Sequence, residues 1–102
     1  MIVSRAFFHP GEFKAAVAEA AKTLGPDIVR VVPELGSDWS DEPAVFFMII
    51  LVDAATRRDQ LLRVAKLASK AIKEQVQPLE EWGVYPYFSF RSQSEQAEID
   101  AH

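Results

Sequence analysis

An uninterrupted apolar run near the middle of the chain most constrains how this protein can fold. Residues 44–52, AVFFMIILV, carry no polar side chain on either face of an extended strand. Such a run predicts a strand that is covered on both sides. It is too short to cross a bilayer, which takes about 20 apolar residues. We therefore predict a soluble protein built around a central β-strand.

The length and composition predict one small globular domain. A chain of 102 residues, if split in two, would bury too little apolar surface to offset its entropy. Hydrophobic residues make up 49% of the chain and charged residues 25%, as in ordinary globular proteins. The lack of cysteine excludes disulfides and thiol catalysis and favours a cytoplasmic location, and the N-terminal residues do not resemble a secretory signal.

Helical spacing and breaker residues mark two helices around the central strand. The first is predicted to start at Pro10, with His9 as its N-cap, and to end at Gly25-Pro26. The second follows a predicted capping pair of Thr56 and Asp59 and stops before Pro78. Its predicted core-facing residues are Leu61, Ala65, Ala68, Ile72 and Val76.

Period-two alternation marks two further strands. One covers residues 28–35, and we expect it at a sheet edge or broken at Pro33, because proline cannot donate to a ladder. The other covers GVYPYFSFRS, residues 83–92. We predict an α+β domain of residues 1–92 in the order α-β-β-α-β, with two helices on one face of a three-stranded sheet. A strand at residues 2–6 would make the sheet four-stranded, and residues 93–102 are expected to be a polar, frayed tail.

One stretch resembles the start of a nucleotidyltransferase site. Gly36-Ser37 precedes a strand that ends on Asp53, but the position two residues before Asp53 is Leu51. Nucleotidyl transfer needs at least two carboxylates to hold two metal ions. We therefore interpret Asp53 as the polar end of a strand before a helix, and a degenerate, inactive partner subunit is a remote alternative.

No other catalytic or metal site is predicted. The acidic loop with Asp38, Asp41 and Glu42 lacks the spacing of a calcium loop and is interpreted as a solvated turn. His9 and His102 do not form a pair at metal-ligand spacing. We predict no metal, no cofactor and no enzymatic activity.

Three aromatic residues are candidates for interaction. Trp39 lies in the polar loop, where a large aromatic either folds back over the core or anchors a partner, and the sequence favours the core. Tyr85 and Tyr87 lie on the last strand and can offer stacking surfaces.

A basic stripe is the most distinctive charged feature. Arg63, Lys66, Lys70 and Lys73 fall on one side of the second helix, opposite its apolar residues. It is either an ordinary solvated helix face or a phosphate-contacting face. The net charge of −4 argues against a positively charged surface overall, but not against such a local face.

The element order, with PAVFFMIILVD before the long helix and GVYPYFSFRSQSE after it, resembles the ribosome-binding factor A family and KH-like domains. The resemblance covers residues 13–92 at the level of pattern. It implies a KH-like topology and an RNA-related role. It carries over no site residue, because the chain lacks the Gly-x-x-Gly loop with which KH domains clamp RNA.

The sequence leaves two functions open. The first is a non-enzymatic binding or regulatory module that acts through surface contacts and binds a protein partner or itself. The second is an RNA-binding, ribosome-associated domain that uses the basic stripe. Because YPYFSFRS carries few charges to discourage pairing, we expect a homodimer through a sheet edge or the aromatic face beside it.

Overall fold

The computed structural model describes residues 4–101. Its helices are α1 (Arg5–Phe8), α2 (Pro10–Ala21), α3 (Arg58–Val76), α4 (Pro78–Trp82) and α5 (Gln93–Asp100), and its strands are β1 (Ile28–Ser37), β2 (Pro43–Leu51) and β3 (Tyr85–Ser92). A 3-10 turn, Asp53–Thr56, precedes α3. The predicted α+β class is confirmed, and the long elements α2, β1, β2, α3 and β3 follow the predicted order.

The three strands form one mixed sheet in the order β1-β2-β3. β1 and β2 are antiparallel, whereas β2 and β3 are parallel because α3 carries the chain back between them. β2 is therefore central, as predicted. Helices α2 and α3 cover only one of its two apolar faces and Phe46 on the other is 40% exposed, so the expected cover on both sides is incomplete. The optional fourth strand at residues 2–6 lies partly outside the described residues, and its described part includes the start of α1.

β1 lies at an edge of the sheet, as Pro33 predicts. The Asp38 N–H donates to the Glu42 carbonyl at 3.0 Å, which extends the β1–β2 ladder past Ser37. Hydrogen-bonded pairs alternate along an antiparallel ladder, so the even-numbered residues of β1 turn their backbone groups toward β2. Those of Val31, Pro33 and Leu35 face the open edge. Pro33 therefore costs β1 no hydrogen bond within the sheet.

The core lies between the sheet and the two helices α2 and α3. β2 contributes its odd-numbered residues, of which Phe47 packs between Phe13 of α2 and Phe88 of β3, with ring centroids 6.5 and 5.2 Å away. Phe13 also meets Trp82 edge to face at 5.2 Å. Burial of each such side chain contributes roughly 1.5–3 kcal/mol. Other large, fully buried members include Val17, Val45, Ile49, Leu51, Ile72 and Val84.

Helix α3 differs from its prediction in two details. The predicted capping pair does not form, because the Thr56 hydroxyl donates to the Asp53 carbonyl at 2.7 Å and no side chain caps the helix. The buried side also includes Val64, whereas Leu61 and Ala65 are only half-buried. Apolar residues occur on several sides of α3, so packing against α2 and the sheet decides which of them is buried.

The segment after β3 is a helix rather than the expected frayed tail. The Ser92 hydroxyl accepts a hydrogen bond from the Glu95 N–H at 3.0 Å, and the Glu95 carboxylate accepts one from the Ser92 N–H at 3.4 Å. This reciprocal capping box starts α5. The Asp53 carboxylate also accepts hydrogen bonds from the Ser94 N–H and hydroxyl. Asp53 thus ties α5 to the end of β2. Within residues 4–101, no helix combines the length and apolarity needed to cross a membrane.

Candidate interaction face

The side of the sheet that turns away from α2 and α3 has no complete cover among the described residues. Side chains alternate along a strand, so the even-numbered residues of β1 and β2 share this side with the odd-numbered residues of β3. α5 lies over one end, where it helps to bury Ile50. We call this side the open face. It consists of Arg30, Val32, Glu34, Gly36, Ala44, Phe46, Met48, Ile50, Tyr85, Tyr87, Ser89 and Arg91.

Aromatic side chains occupy the centre of the open face. Phe46 and Tyr87 are neighbours across β2 and β3, and their rings stack with centroids 5.4 Å apart. Phe46 is 40% exposed and Tyr85 is 42% exposed, and Val32 on the adjacent strand is exposed to a similar degree. Contiguous exposed apolar surface on a small protein marks a site of interaction.

The loop between β1 and β2 is closed by one carboxylate. Asp38 Oδ1 accepts hydrogen bonds from the Ser40 N–H at 2.9 Å, from the Ser40 hydroxyl at 2.7 Å and from the Glu42 N–H at 3.0 Å. The Asp41 N–H donates to the Asp38 carbonyl at 3.0 Å. Residues 38–42, the Trp39 loop, are therefore a built turn in which local hydrogen bonds fix the backbone.

Trp39 points out of this loop into solvent. Its side chain is 92% exposed, so the sequence-based preference for a place over the core is wrong. Asp38 makes all the side-chain hydrogen bonds that close the turn, and the core position that a tryptophan could fill is taken by Trp82, which packs on Phe13. The Asp-x-Ser spacing of Asp38 and Ser40 is the sequence signal that could have revealed an autonomous turn.

Tyr87 joins the Trp39 loop to the open face. Its hydroxyl donates to Asp38 Oδ2 at 2.8 Å, across the width of β2. The Ser40 hydroxyl and, next, the Tyr87 hydroxyl lower the pKa of Asp38 to about 2. The same bond to Asp38 raises the pKa of Tyr87. Asp38 is therefore ionised at any physiological pH, and its hydrogen bonds hold the backbone of the loop that carries Trp39 at one end of the open face.

The two ends of the open face differ in charge. Asp38, Asp41 and Glu42 lie in the loop that carries Trp39, and we call this the acidic end. Arg30 and Arg91 lie in one row across the sheet at the other end, beside α5. Neither arginine is within ion-pair distance of a carboxylate in residues 4–101, and Arg91 donates to the Gln96 side chain at 2.7 Å.

The predicted basic stripe lies on another part of the surface. Arg63, Lys66, Lys70 and Lys73 are all exposed on the side of α3 that faces away from the core. Lys70 is 3.9 Å from Glu74, and Lys73 lies 5.7 Å from the centroid of the Phe88 ring. Arg63 donates to the side chain of Gln60. Since α3 packs on the opposite side of the sheet, the stripe and the aromatic residues Trp39, Tyr85 and Tyr87 do not form one site.

The residues that resembled a nucleotidyltransferase do not come together. Gly36 pairs with Ala44 at one end of the sheet, whereas Asp53 follows Leu51 at the other end, about 25 Å away along the strand. The hydrogen bonds from Ser94 occupy the Asp53 carboxylate and lower its pKa. Within residues 4–101, no three acidic or histidine side chains are grouped closely enough to hold a metal ion.

The comparisons with known proteins leave the family open. No protein-family model, curated protein or solved structure matches this chain. The resemblance to ribosome-binding factor A and KH-like domains therefore stays a prediction.

Proposed function

We propose that this protein is a non-enzymatic interaction module that binds another protein chain with its open face. The observation that carries this proposal is Trp39, whose side chain is almost fully exposed on a loop whose backbone is held at one end of the open face through Asp38 and Tyr87. Tryptophan and tyrosine are the residues that most often dominate the energy of protein interfaces. A loop whose backbone is already ordered loses less entropy on binding than a mobile one.

The charge of the open face favours a protein over a nucleic acid as its ligand. Three carboxylates lie in the Trp39 loop, and the low pKa of Asp38 keeps that group ionised. Phosphates would be repelled from this end, although stacked aromatics alone could accept bases. A polypeptide can instead place apolar side chains over Phe46 and Tyr85 and a positive group near Asp41 and Glu42.

Site-specific photo-crosslinking in cells tests this function. A photoreactive phenylalanine analogue replaces Tyr85 on the open face, and a matched control carries the same analogue at Leu62, which is 65% exposed on α3. We expect position 85 to form a protein adduct and position 62 to form none. Trp39→Ala should abolish the adduct without unfolding the protein, because substitution of an exposed side chain usually changes stability by less than about 0.5 kcal/mol. Equal adducts from both positions, or none from position 85, would reject the proposal.

RNA binding by the basic stripe is a second candidate. It is supported by the exposure of four cations on one side of α3, namely Arg63, Lys66, Lys70 and Lys73. Within residues 4–101, Lys70 pairs with Glu74, and the other three cations make no ion pair. If each cation neutralises one phosphate of a single strand, affinity should fall with salt at a log-log slope of about −3.

Titration of labelled single-stranded RNA at several salt concentrations tests the second candidate. Lys66→Glu with Lys70→Glu should weaken binding to all sequences alike and flatten the slope, because phosphate contacts do not read bases. Arg57→Glu, at the start of α3 and outside the stripe, is the matched control and should bind like the wild type. Equal binding by the wild type, the double variant and Arg57→Glu would show that the stripe is an ordinary solvated helix face. For either function we propose a cytoplasmic location, which the lack of cysteine supports.

A further inference from the structure

A shallow groove lies at the end of the open face opposite Trp39. It runs between the start of β1 and α5, and Val29, Ile50 and Ala97 give it an apolar floor. Arg30 lines one side, while Gln96 and Asp100 line the other and are hydrogen-bonded to each other at 2.8 Å. The β-bulge between Ile28 and Arg30 interrupts the ladder here and leaves Val29 exposed. The groove thus combines an apolar floor with a positive side chain, which suits the ring of a tryptophan.

The Trp39 loop and this groove, the α5 groove, carry opposite net charge, because Arg30 and Arg91 at the groove end outnumber the carboxylate of Asp100 in its lining. One end of the open face projects an apolar ring from a loop with three carboxylates, and the other end offers an apolar recess beside Arg30. Asp38 lies eight positions after Arg30, about 26 Å away at roughly 3.3 Å per residue. Phe46 and Tyr87 share the row of Glu34, which lies midway between the two ends.

We propose that the partner of the open face is a second copy of this chain, packed face to face so that Trp39 of each copy lies in the α5 groove of the other. This inference rests on the proposed function of the open face and names its partner. A two-fold axis that crosses the strands at the row of Phe46 exchanges the two ends of the face and brings the two Glu34 side chains opposite each other, so the two Arg30 contacts have to outweigh this repulsion. Each acidic end then meets the partner's Arg30, and both Trp39 contacts form at once. Such an isologous contact closes on itself and gives a dimer.

The self-complementary charges distinguish this arrangement from edge-to-edge pairing of strands. In the face-to-face dimer Glu42 approaches Arg30 of the second copy at two symmetric places. Arg30 shares the row of Ile50 on the open face. Glu42 lies just before β2 and pairs with Asp38 through its carbonyl, which continues the strand face of Phe46 by one pair. Pairing through the edge of β1 would instead use the backbone of residues 29–35, where Pro33 removes a donor.

A charge exchange tested by sedimentation velocity decides the proposal. The wild type should sediment at twice the chain mass of 11.4 kDa at micromolar concentration. Arg30→Glu and Glu42→Lys should each raise the dissociation constant at least tenfold, because each puts like charges together at both symmetric contacts. Mixed in equal amounts, the two variants should form a heterodimer. Its first contact joins the introduced carboxylate of one variant to the introduced ammonium of the other, and its second contact keeps the original Arg30 and Glu42. A mixture as weakly associated as the separate variants would overturn the proposal.

Trp39→Ala supplies a second measurement that does not depend on charge. Loss of an interface anchor used twice should raise the dissociation constant by about 30-fold or more. Leu62→Ala, at an exposed position on α3, is the matched control and should leave the dimer intact. A wild type that stays monomeric at all concentrations overturns the dimer. If position 85 then crosslinks to a chain of different mass, the proposed function survives without this inference, and if it crosslinks to nothing, both fail.

Discussion

Two adjacent phenylalanines show how differently the two faces of the sheet are built. Phe47 is 1% exposed and packs with Phe13 and Phe88 under α2 and α3, whereas Phe46, the residue before it, is 40% exposed on the open face. Both belong to the same strand and the same apolar run. The covered face is therefore held by apolar burial, and the open face keeps apolar side chains that no described part of the chain covers.

The polar contacts of the open face have a different purpose from the packing of the covered face. On the covered face, packing alone places each side chain in contact with its neighbours. On the open face, Asp38 and Tyr87 hold aromatic residues in position without burying them. Fixed, exposed aromatics contribute little to folding stability, and this is the pattern expected of a surface that gains its stabilisation on binding.

Alanine substitution at the two phenylalanines should separate the two faces most strongly. Phe47→Ala removes a ring from a filled core and should lower the free energy of unfolding by about 3–5 kcal/mol. Phe46→Ala removes a ring that is partly in solvent and stacks only on Tyr87, so we expect a loss of about 1 kcal/mol or less. Urea denaturation of the two variants measures the difference. Equal losses would mean that the open face belongs to the folding core.

A substitution at the start of α5 should have an effect of intermediate size on stability. Among the described helices, α5 is the one that rests on the open side of the sheet. Ser92→Ala removes the hydroxyl that caps α5 and should cost about 1 kcal/mol. Amide hydrogen exchange should then increase in Gln93–Asp100 and much less in α2. Ser40→Ala, which removes a hydroxyl from the Trp39 loop, is the matched control and should leave exchange in α5 unchanged. Uniform acceleration throughout the chain would show that α5 is part of one cooperative unit.

The covered face could be predicted from sequence more fully than the open face. The two-sided apolar run of residues 44–52 identified β2 as the central strand, and Pro33 placed β1 at an edge, because each signal lies within its own strand, in the side chains of β2 and in the missing N–H of Pro33. The buried side of α3 was harder to predict, because this helix also carries exposed leucines at positions 62 and 67. Which apolar residues α3 buries depends on its packing partners.

The candidate site depends on contacts between residues far apart in sequence, and this is why its assembly was missed. Tyr85 and Tyr87 were identified as interaction candidates, but the bond from Tyr87 to Asp38 joins residues 49 positions apart. The tie from Ser94 to Asp53 spans 41 positions and holds a helix that sequence polarity had assigned to a tail. The local signals, Asp38 before Ser40 and Ser92 before Glu95, were present and indicated only a turn and a cap.

The smallest effect we predict is a change with pH at the Trp39 loop that has no counterpart on the covered face. Ionised Asp38 holds the Trp39 loop closed, and its pKa of about 2 lies below the value of about 3.9 of an unfolded chain. A lowered carboxyl pKa stabilises the folded state above the unfolded value, and that contribution is lost as the pH falls through the folded value. Between about pH 4 and pH 2 the loop should therefore open, as followed by the NMR signal of the Trp39 indole N–H. The signals of Phe47, whose contacts contain no titrating group, should not follow the same curve.

Removing the donors to Asp38 one at a time shows which contacts hold the loop. Ser40→Ala should raise the pKa of Asp38 more than Tyr87→Phe does, because the Ser40 hydroxyl is the larger cause of the lowered value. Asp38→Asn should abolish the pH-dependent change of the Trp39 signal. Asp41→Asn is the matched control, since it removes a carboxylate of the same loop that accepts no hydrogen bond within residues 4–101 and keeps a residue type that tolerates its positive φ of 65°. If the Trp39 signal of Asp38→Asn still changed over the same pH range, contacts other than those of Asp38 and Tyr87 would hold the loop. The ordered loop backbone on which the proposed function depends would then need another explanation.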